Sequence, residues 1–168
     1  MQALAVFLLM LILPNGKGEP LPIRGPADYA FRWELATRIV EATDDARERE
    51  VLVRTALLES GFRRNVARCE KKGDRGRSHG TFQIQPQSPR EAKVACSVDR
   101  YGVATREQVD LALRYVRRSA EACPANVGPD RLAMYVSGTC ARGIPEARAR
   151  WGEEVPLLAS EPAGPAEE

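Results

Sequence analysis

Apolar residues recur at helical spacing along most of the chain. Residues 28–42 repeat apolar side chains every three or four positions, which predicts an amphipathic helix. Residues 46–60 predict a second helix, and Gly61 is a suitable residue for ending it. Further helices are indicated by capping boxes and by prolines suited to a first helical position. These helices are predicted over 88–95, 105–122 and 129–138, and from Pro145 through Trp151.

The segment 73–87 interrupts this pattern. Three glycines divide a polar stretch, and Phe82 and Ile84 then alternate with two glutamines, which predicts a short strand over 81–86. The sequence therefore predicts a mainly α fold in which a glycine-rich loop and one short β strand follow the second helix.

The two ends of the chain differ in composition from its centre. Positions 3–13 are 11 uninterrupted apolar residues, too few for the about 20 that a membrane-spanning helix needs. We interpret residues 1–18 as a signal peptide or membrane tether, with a buried N-terminal helix as the alternative. The proline- and glycine-rich residues 19–28 predict a linker, 29–152 the folded domain, and 153–168 a disordered acidic tail.

Four cysteines in a chain of 168 residues favour disulfides over metal ligation, because no CxxC pair is present. Three pairings are possible. We favour Cys69–Cys96 and Cys123–Cys140, since each closes a short loop, and four buried free thiols are the alternative. Disulfides agree with an exported protein, periplasmic or extracellular. His79 is the single histidine, which excludes a histidine-rich metal site. We expect no metal and no cofactor.

The net charge of +2 is too balanced to indicate a nucleic-acid or membrane-surface partner by itself. Candidate chemistry comes instead from Glu59. At 100° per residue it shares a helix face with Leu52, Thr55 and Ala56, so the carboxylate should lie on the buried side. Burial disfavours the charged form, and we expect the pKa of Glu59 to rise, which suits a proton donor. The alternative is a surface glutamate at a frayed helix end.

Three blocks of sequence resemble one enzyme family. They are Glu-Ser-Gly-Phe at 59–62, Gly-Asp-Arg-Gly at 73–76 followed by His-Gly-Thr-Phe-Gln-Ile-Gln-Pro at 79–86, and Ala-Met-Tyr-Val-Ser-Gly at 133–138. In this order they resemble the lysozyme-like lytic transglycosylases and the goose-type lysozymes, over roughly residues 50–142. The resemblance implies a lysozyme-like α+β domain that cleaves the MurNAc-GlcNAc bond of peptidoglycan.

The resemblance also implies roles for individual residues. Glu59 would protonate the glycosidic oxygen, Ser60 would hydrogen-bond near the reacting sugar, and Tyr135 would orient Glu59. Gln83 would line the cleft, and we place His79 and Gln85 there too. The corresponding structural alternatives are a helix-capping serine, a core tyrosine, a solvent-facing glutamine and a solvated loop histidine.

The reaction outcome depends on a second carboxylate. Goose-type lysozymes have an acidic residue where this chain has Gln85, which leaves Asp74 to activate water. A local turn role for Asp74 is the alternative. Because Gln85 cannot accept a proton, we favour a transglycosylase that uses the 6-hydroxyl of the substrate and releases a 1,6-anhydro sugar. Hydrolysis with Asp74 is the runner-up.

Two further function classes stay open. The first is a non-catalytic wall-binding protein on the same scaffold, because the family's usual Leu-Met is Thr81-Phe82 here and its usual Asn is Val136. The second is a nucleic-acid-binding domain that uses the basic stretch 63–77. The same stretch could instead steer the protein towards anionic wall polymers, or it could be a solvated face without a partner. We expect peptidoglycan strands as the partner, no nucleic acid, and a monomer.

Overall fold

The computed structural model describes residues 1–15, 18–126 and 128–151, and the chain within these ranges is mainly helical. The α-helices are α1 (Gln2–Ile12), α2 (Pro26–Ala42), α3 (Ala46–Ser60), α4 (Arg64–Ala67), α5 (Pro89–Ala95), α6 (Arg106–Ala122), α7 (Ala133–Ser137) and α8 (Ile144–Trp151). Two 3-10 turns, Asp74–Gly76 and Gly128–Leu132, lie between them. The helices predicted over 28–42, 46–60, 88–95, 105–122 and from Pro145 are thereby confirmed, whereas the helix predicted over 129–138 is divided into the 3-10 turn Gly128–Leu132 and α7.

The chain forms two compact units. The first is Met1–Arg114, and the second begins at Tyr115 and is described as far as Trp151. The predicted domain 29–152 therefore contains parts of both units. The predicted tail 153–168 lies outside the described residues.

In the first unit, α1 packs against α2 and α3. It buries Val6, Phe7 and Met10 on one face and leaves Leu8 and Ile12 exposed on the other. This packing agrees with the alternative interpretation of the segment as a buried N-terminal helix. Export of the protein and cleavage of the segment stay predictions. None of the helices in the described ranges combines the length and apolar character that a bilayer crossing requires.

The segment predicted to be a linker is tied to the helices. Its last three residues, 26–28, already belong to α2, and Pro26 occupies the first turn, where a missing N–H costs nothing. Arg32, only 2% exposed, donates to the carbonyl oxygens of Met10, Leu21 and Pro22 at 2.9–3.1 Å. The buried guanidinium thereby joins α1, the segment 21–22 and α2.

The second unit is held by three kinds of contact. Cys123 and Cys140 form a disulfide, as predicted. Asp130, 6% exposed, accepts two hydrogen bonds of 2.7 Å from Arg148, which joins the 3-10 turn Gly128–Leu132 to α8. The ring of Tyr135 meets that of Trp151 edge to face, with centroids 6.3 Å apart.

The strand predicted over 81–86 is wrong. The described residues there form a tight turn with a single bridge between His79 and Ile84. Gly80 and Gln83 both have positive φ, +73° and +48°, and these angles curl the backbone out of the extended region. The alternation itself is real, because Phe82 and Ile84 are buried while Gln83 is half-buried. A turn that packs on the core produced the same apolar-polar pattern as a strand.

Candidate active site

Glu59 lies in the last turn of α3, the most deeply buried helix of the first unit. The helix begins at Asp45, whose carboxylate accepts the N–H groups of Arg47 and Glu48 at 2.7 and 3.2 Å. Its central residues Val51, Leu52, Val53, Thr55 and Ala56 are 0% exposed. On the same face Glu59 is half-buried, as the helical spacing predicted. The fold therefore supports this carboxylate on a rigid apolar helix next to its end.

The chain leaves α3 through two successive residues with left-handed backbone. Gly61 has φ +57°, and its N–H donates to Leu57 O at 2.9 Å, which ends the helix. Phe62 follows with φ +55° and is 4% exposed. Left-handed backbone at a bulky aromatic residue is unfavourable, so burial of the ring must compensate for it.

Ser60 points into the protein. It is 0% exposed, and its hydroxyl donates to Ala56 O at 2.7 Å. This back-bond within α3 is the contact of a helix-end serine, the structural alternative, whereas contact with a sugar would need an accessible hydroxyl.

Two tight turns follow one another after α4. Gly73 and Ser78 exchange backbone hydrogen bonds of 3.1 and 3.2 Å, and His79 and Ile84 exchange bonds of 2.9 and 3.0 Å. Each pair closes a six-residue loop, and Asp74 in the first loop has φ +47°. We call residues 73–85 the double turn. It contains every candidate site residue of the first unit except Glu59 and Ser60.

Asp74 and Gln85 come together at the two ends of the double turn. The exposed Asp74 accepts hydrogen bonds at Oδ2 from the Ser78 hydroxyl and from Gln85 Nε2, the latter at 3.1 Å. The residue that stands in the place of the family's acid is therefore an amide that donates to the neighbouring carboxylate. Both the turn role and the chemical role foreseen for Asp74 are compatible with this geometry, since its carboxylate faces solvent.

His79 and Gln83 are folded back on the double turn. His79 Nε2 lies 3.0 Å from Gly76 O, and Nδ1 lies 3.6 Å from Cys96 Sγ. Gln83 Nε2 donates to Gly80 O at 2.9 Å. Its Oε1 would lie 2.3 Å from a Cβ placed on Gly73, so a larger residue there would displace this side chain. Both side chains are half-buried, and these contacts fix their orientation.

A disulfide closes the whole segment. Cys69 and Cys96 are bonded, as predicted, across 27 positions that include the double turn. The donor atoms of Cys69, His79 and Cys96 lie within 4.8 Å of one another. Two sulfurs that are joined to each other cannot bind a metal as thiolates, so the cluster as it stands stabilises the loop.

Gln108 positions the double turn, and the sequence analysis missed this role. From the sequence we predicted only a capping role for Gln108 at the start of α6. The side chain is instead 0% exposed, and its amide faces the loop. Gln108 Oε1 accepts the N–H of Thr81 at 3.0 Å, and Nε2 donates to Ser97 O at 2.8 Å. A glutamine on the apolar side of an amphipathic helix was the signal that could have indicated it.

Tyr135 lies in the second unit. Its N–H donates to the Ser119 hydroxyl at 3.0 Å. The residue is half-buried overall, and desolvation of its phenol, with a smaller effect of Tyr115, raises the pKa of Tyr135 above its ordinary value of 10.0. The phenol therefore stays protonated at neutral pH and can donate a hydrogen bond.

The first unit thus offers one half-buried carboxylate on a rigid helix and one exposed carboxylate in a cross-linked turn. Family models, curated proteins and solved structures yield no match to this chain. A half-buried carboxyl group on an apolar helix is a group that can serve as a proton donor.

Proposed function

We propose that this protein is a peptidoglycan lytic transglycosylase of lysozyme-like fold, with Glu59 as general acid and base. The observation that carries the proposal is the half-buried position of Glu59 at the end of an apolar helix. The sequence resemblance at 59–62, 73–86 and 133–138 supplies the substrate class. A cross-linked loop whose amide side chains are fixed by hydrogen bonds is suited to lining a sugar-binding groove.

Glu59 acts twice in the proposed reaction. It first gives its proton to the glycosidic oxygen, which leaves with the GlcNAc residue as a free 4-hydroxyl. The 6-hydroxyl of MurNAc then attacks C1, and the Glu59 carboxylate takes up the proton of that hydroxyl. The products are a 1,6-anhydro-muramic end and a shortened strand, and no water is consumed.

The surroundings of Asp74 favour this reaction over hydrolysis. Asp74 Oδ2 accepts from Ser78 and from Gln85, which ties the carboxylate to the double turn. Gln85 itself is an amide and cannot accept a proton. The second candidate is a goose-type lysozyme, favoured by the solvent exposure of Asp74. In that reaction Asp74 would activate water, and the product would be a reducing sugar.

The proposed place of action is outside the cytoplasm. Two disulfides support it, because such bonds persist in oxidising compartments. Residues 1–18, which contain the apolar run 3–13, would then serve as signal peptide or tether.

Mass spectrometry of wall digests tests the proposal. Anhydro products identify a transglycosylase and reducing products a lysozyme, whereas wall binding without products identifies a binding protein. Glu59→Gln should lower cleavage by about 10²–10⁴-fold, the usual contribution of a general acid. Glu70→Gln, at an exposed site, is the matched control and should cleave normally. Asp74→Asn should leave a transglycosylase active and inactivate a lysozyme.

A further inference from the structure

A cavity lies in the first unit, between the start of α2 and the turn that follows α3. Its volume is about 630 Å³, and it is lined by side chains from residues 21–32 and 61–65. Sites for small molecules usually measure about 300–1,000 Å³. None of these lining residues belongs to the double turn, so the cavity is separate from the loop described above.

The walls of the cavity are apolar and firmly held. Phe31 and Phe62 are 1% and 4% exposed. The Arg32 guanidinium lies over the ring of Phe62, 5.0 Å from its centroid, and donates to Leu21 O at 2.9 Å. Because this buried cation holds Leu21 and Phe62 in place on opposite segments of the lining, the cavity needs little reorganisation to receive a ligand.

The rim of the cavity is cationic. Arg24, Arg63 and Arg64 line it, and two of them are oriented by backbone carbonyls: Arg63 Nε donates to Ser60 O at 2.8 Å and Arg64 Nη2 to Ala27 O at 2.7 Å. Among the lining residues the acid is Asp28, which already pairs with Arg32 at 3.0 Å. The lining therefore carries excess positive charge that an anionic ligand would neutralise.

We propose that this cavity binds a carboxylate-bearing short peptide, and that in the cell this is the peptide stem of peptidoglycan. The inference rests on the proposed function. Arginine pairs with carboxylates through two parallel hydrogen bonds. The accessible apolar lining of Leu21, Pro22 and Ala27 suits small aliphatic side chains such as alanine. A phosphate polymer would use the cations but has no need of apolar walls.

The position along the chain connects the cavity with the reaction. Its lining residues 61–65 directly follow Glu59, so the cavity and the proposed acid lie at the same end of α3. Stem peptides branch from the MurNAc sugar whose bond is cleaved. A stem held here would select glycan that carries peptides over bare glycan.

Calorimetric titration of the full chain with a stem tetrapeptide tests the assignment. The double variant Arg24→Gln/Arg64→Gln should bind the peptide about tenfold more weakly or worse, as expected for lost charge-assisted hydrogen bonds. Arg47→Gln is the matched control, because Arg47 is also an exposed arginine and lies outside the cavity. It should bind like the wild type. If the double variant unfolds, Arg24→Gln alone is titrated.

The assignment is overturned if the wild type does not bind the tetrapeptide, or if the arginine variants bind it equally well. Full displacement of the peptide by an equal concentration of inorganic phosphate would overturn it too, because the site would then take any anion. Glu59→Gln should bind the peptide normally. A wild type that binds the peptide but cleaves no wall refutes the transglycosylase and leaves the peptide site standing.

Discussion

The buried amide of Gln108 should decide how stable the double turn is. We consider Gln108→Met, which keeps the length of the side chain and removes both hydrogen-bonding groups. The N–H of Thr81 loses its acceptor, whereas the carbonyl oxygen of Ser97 loses one of two donors and keeps the N–H of Thr105 at 3.1 Å. Because Gln108 is 0% exposed, water has no direct access to replace them.

The expected cost follows from the N–H of Thr81. A buried polar group left without a partner costs about 1–3 kcal/mol, so the variant should lose about 1–3 kcal/mol of unfolding free energy. The tight packing favours the upper half of this range, since Gln108 Oε1 would lie only 3.1 Å from a Cβ placed on Gly80. Small domains are stable by about 5–15 kcal/mol, so the loss should be readily measurable.

Urea unfolding followed by circular dichroism gives the global cost, and amide exchange of Thr81 gives the local one. We expect a lower urea midpoint and much faster exchange of the Thr81 N–H. Gln87→Met is the control, because Gln87 is an exposed glutamine in the same segment. It should change stability by less than about 0.5 kcal/mol. An unchanged midpoint together with unchanged Thr81 exchange in Gln108→Met would refute the role given to this amide.

Three more predictions concern the cross-link, the turns and the phenol. Replacing Cys69 and Cys96 by serine should cost about 3.5 kcal/mol, the loop-closure value for a separation of 27. Urea unfolding of the wild type and the variant, both oxidised so that Cys123–Cys140 stays bonded, measures this difference. In thermal unfolding, Gly80→Ala should destabilise the protein far more than Gly76→Ala. At Gly80 an added Cβ would lie 1.8 Å from a carbonyl oxygen of α5. At Gly76 nothing lies within 4 Å of the added Cβ, so only backbone strain of about 1–2 kcal/mol remains. The raised pKa of Tyr135 means that the unfolded chain loses the phenol proton at a lower pH than the folded chain, so the unfolding free energy should fall above about pH 10. Tyr135→Phe should reduce this fall by up to about 1.4 kcal/mol per pH unit in urea titrations. The same fall in wild type and variant would contradict the prediction.

Local signals in the sequence were sufficient for the helices. The capping box at Ser88 predicted the start of α5, and the structure shows the Ser88 side chain accepting the N–H of Glu91 there. Gly61 was suited to end α3 and has the left-handed backbone that ends it. These features lie within one helical turn of their partners, so hydrogen bonds close along the chain specify them.

The strand prediction failed because burial and backbone shape are separate properties. The alternation at 81–86 correctly indicated which side chains are buried. It could not indicate the positive φ of Gln83, a residue type with no strong preference for turns. The same limit applied to Gln108, whose capping position was evident while its contact with Thr81, 27 positions away, was not.

By itself, the sequence determined most of the helices, the end of α3 at Gly61, the favoured cysteine pairs and the buried face that carries Glu59. The tertiary structure alone decided that Gln85 bonds Asp74, that Gln108 holds the double turn, and that residues 21–32 meet residues 61–65 around a cationic cavity. The physical reason is the range of the interactions. Helical periodicity and capping repeat within a few residues, whereas contacts between distant segments depend on how the whole chain reverses and packs.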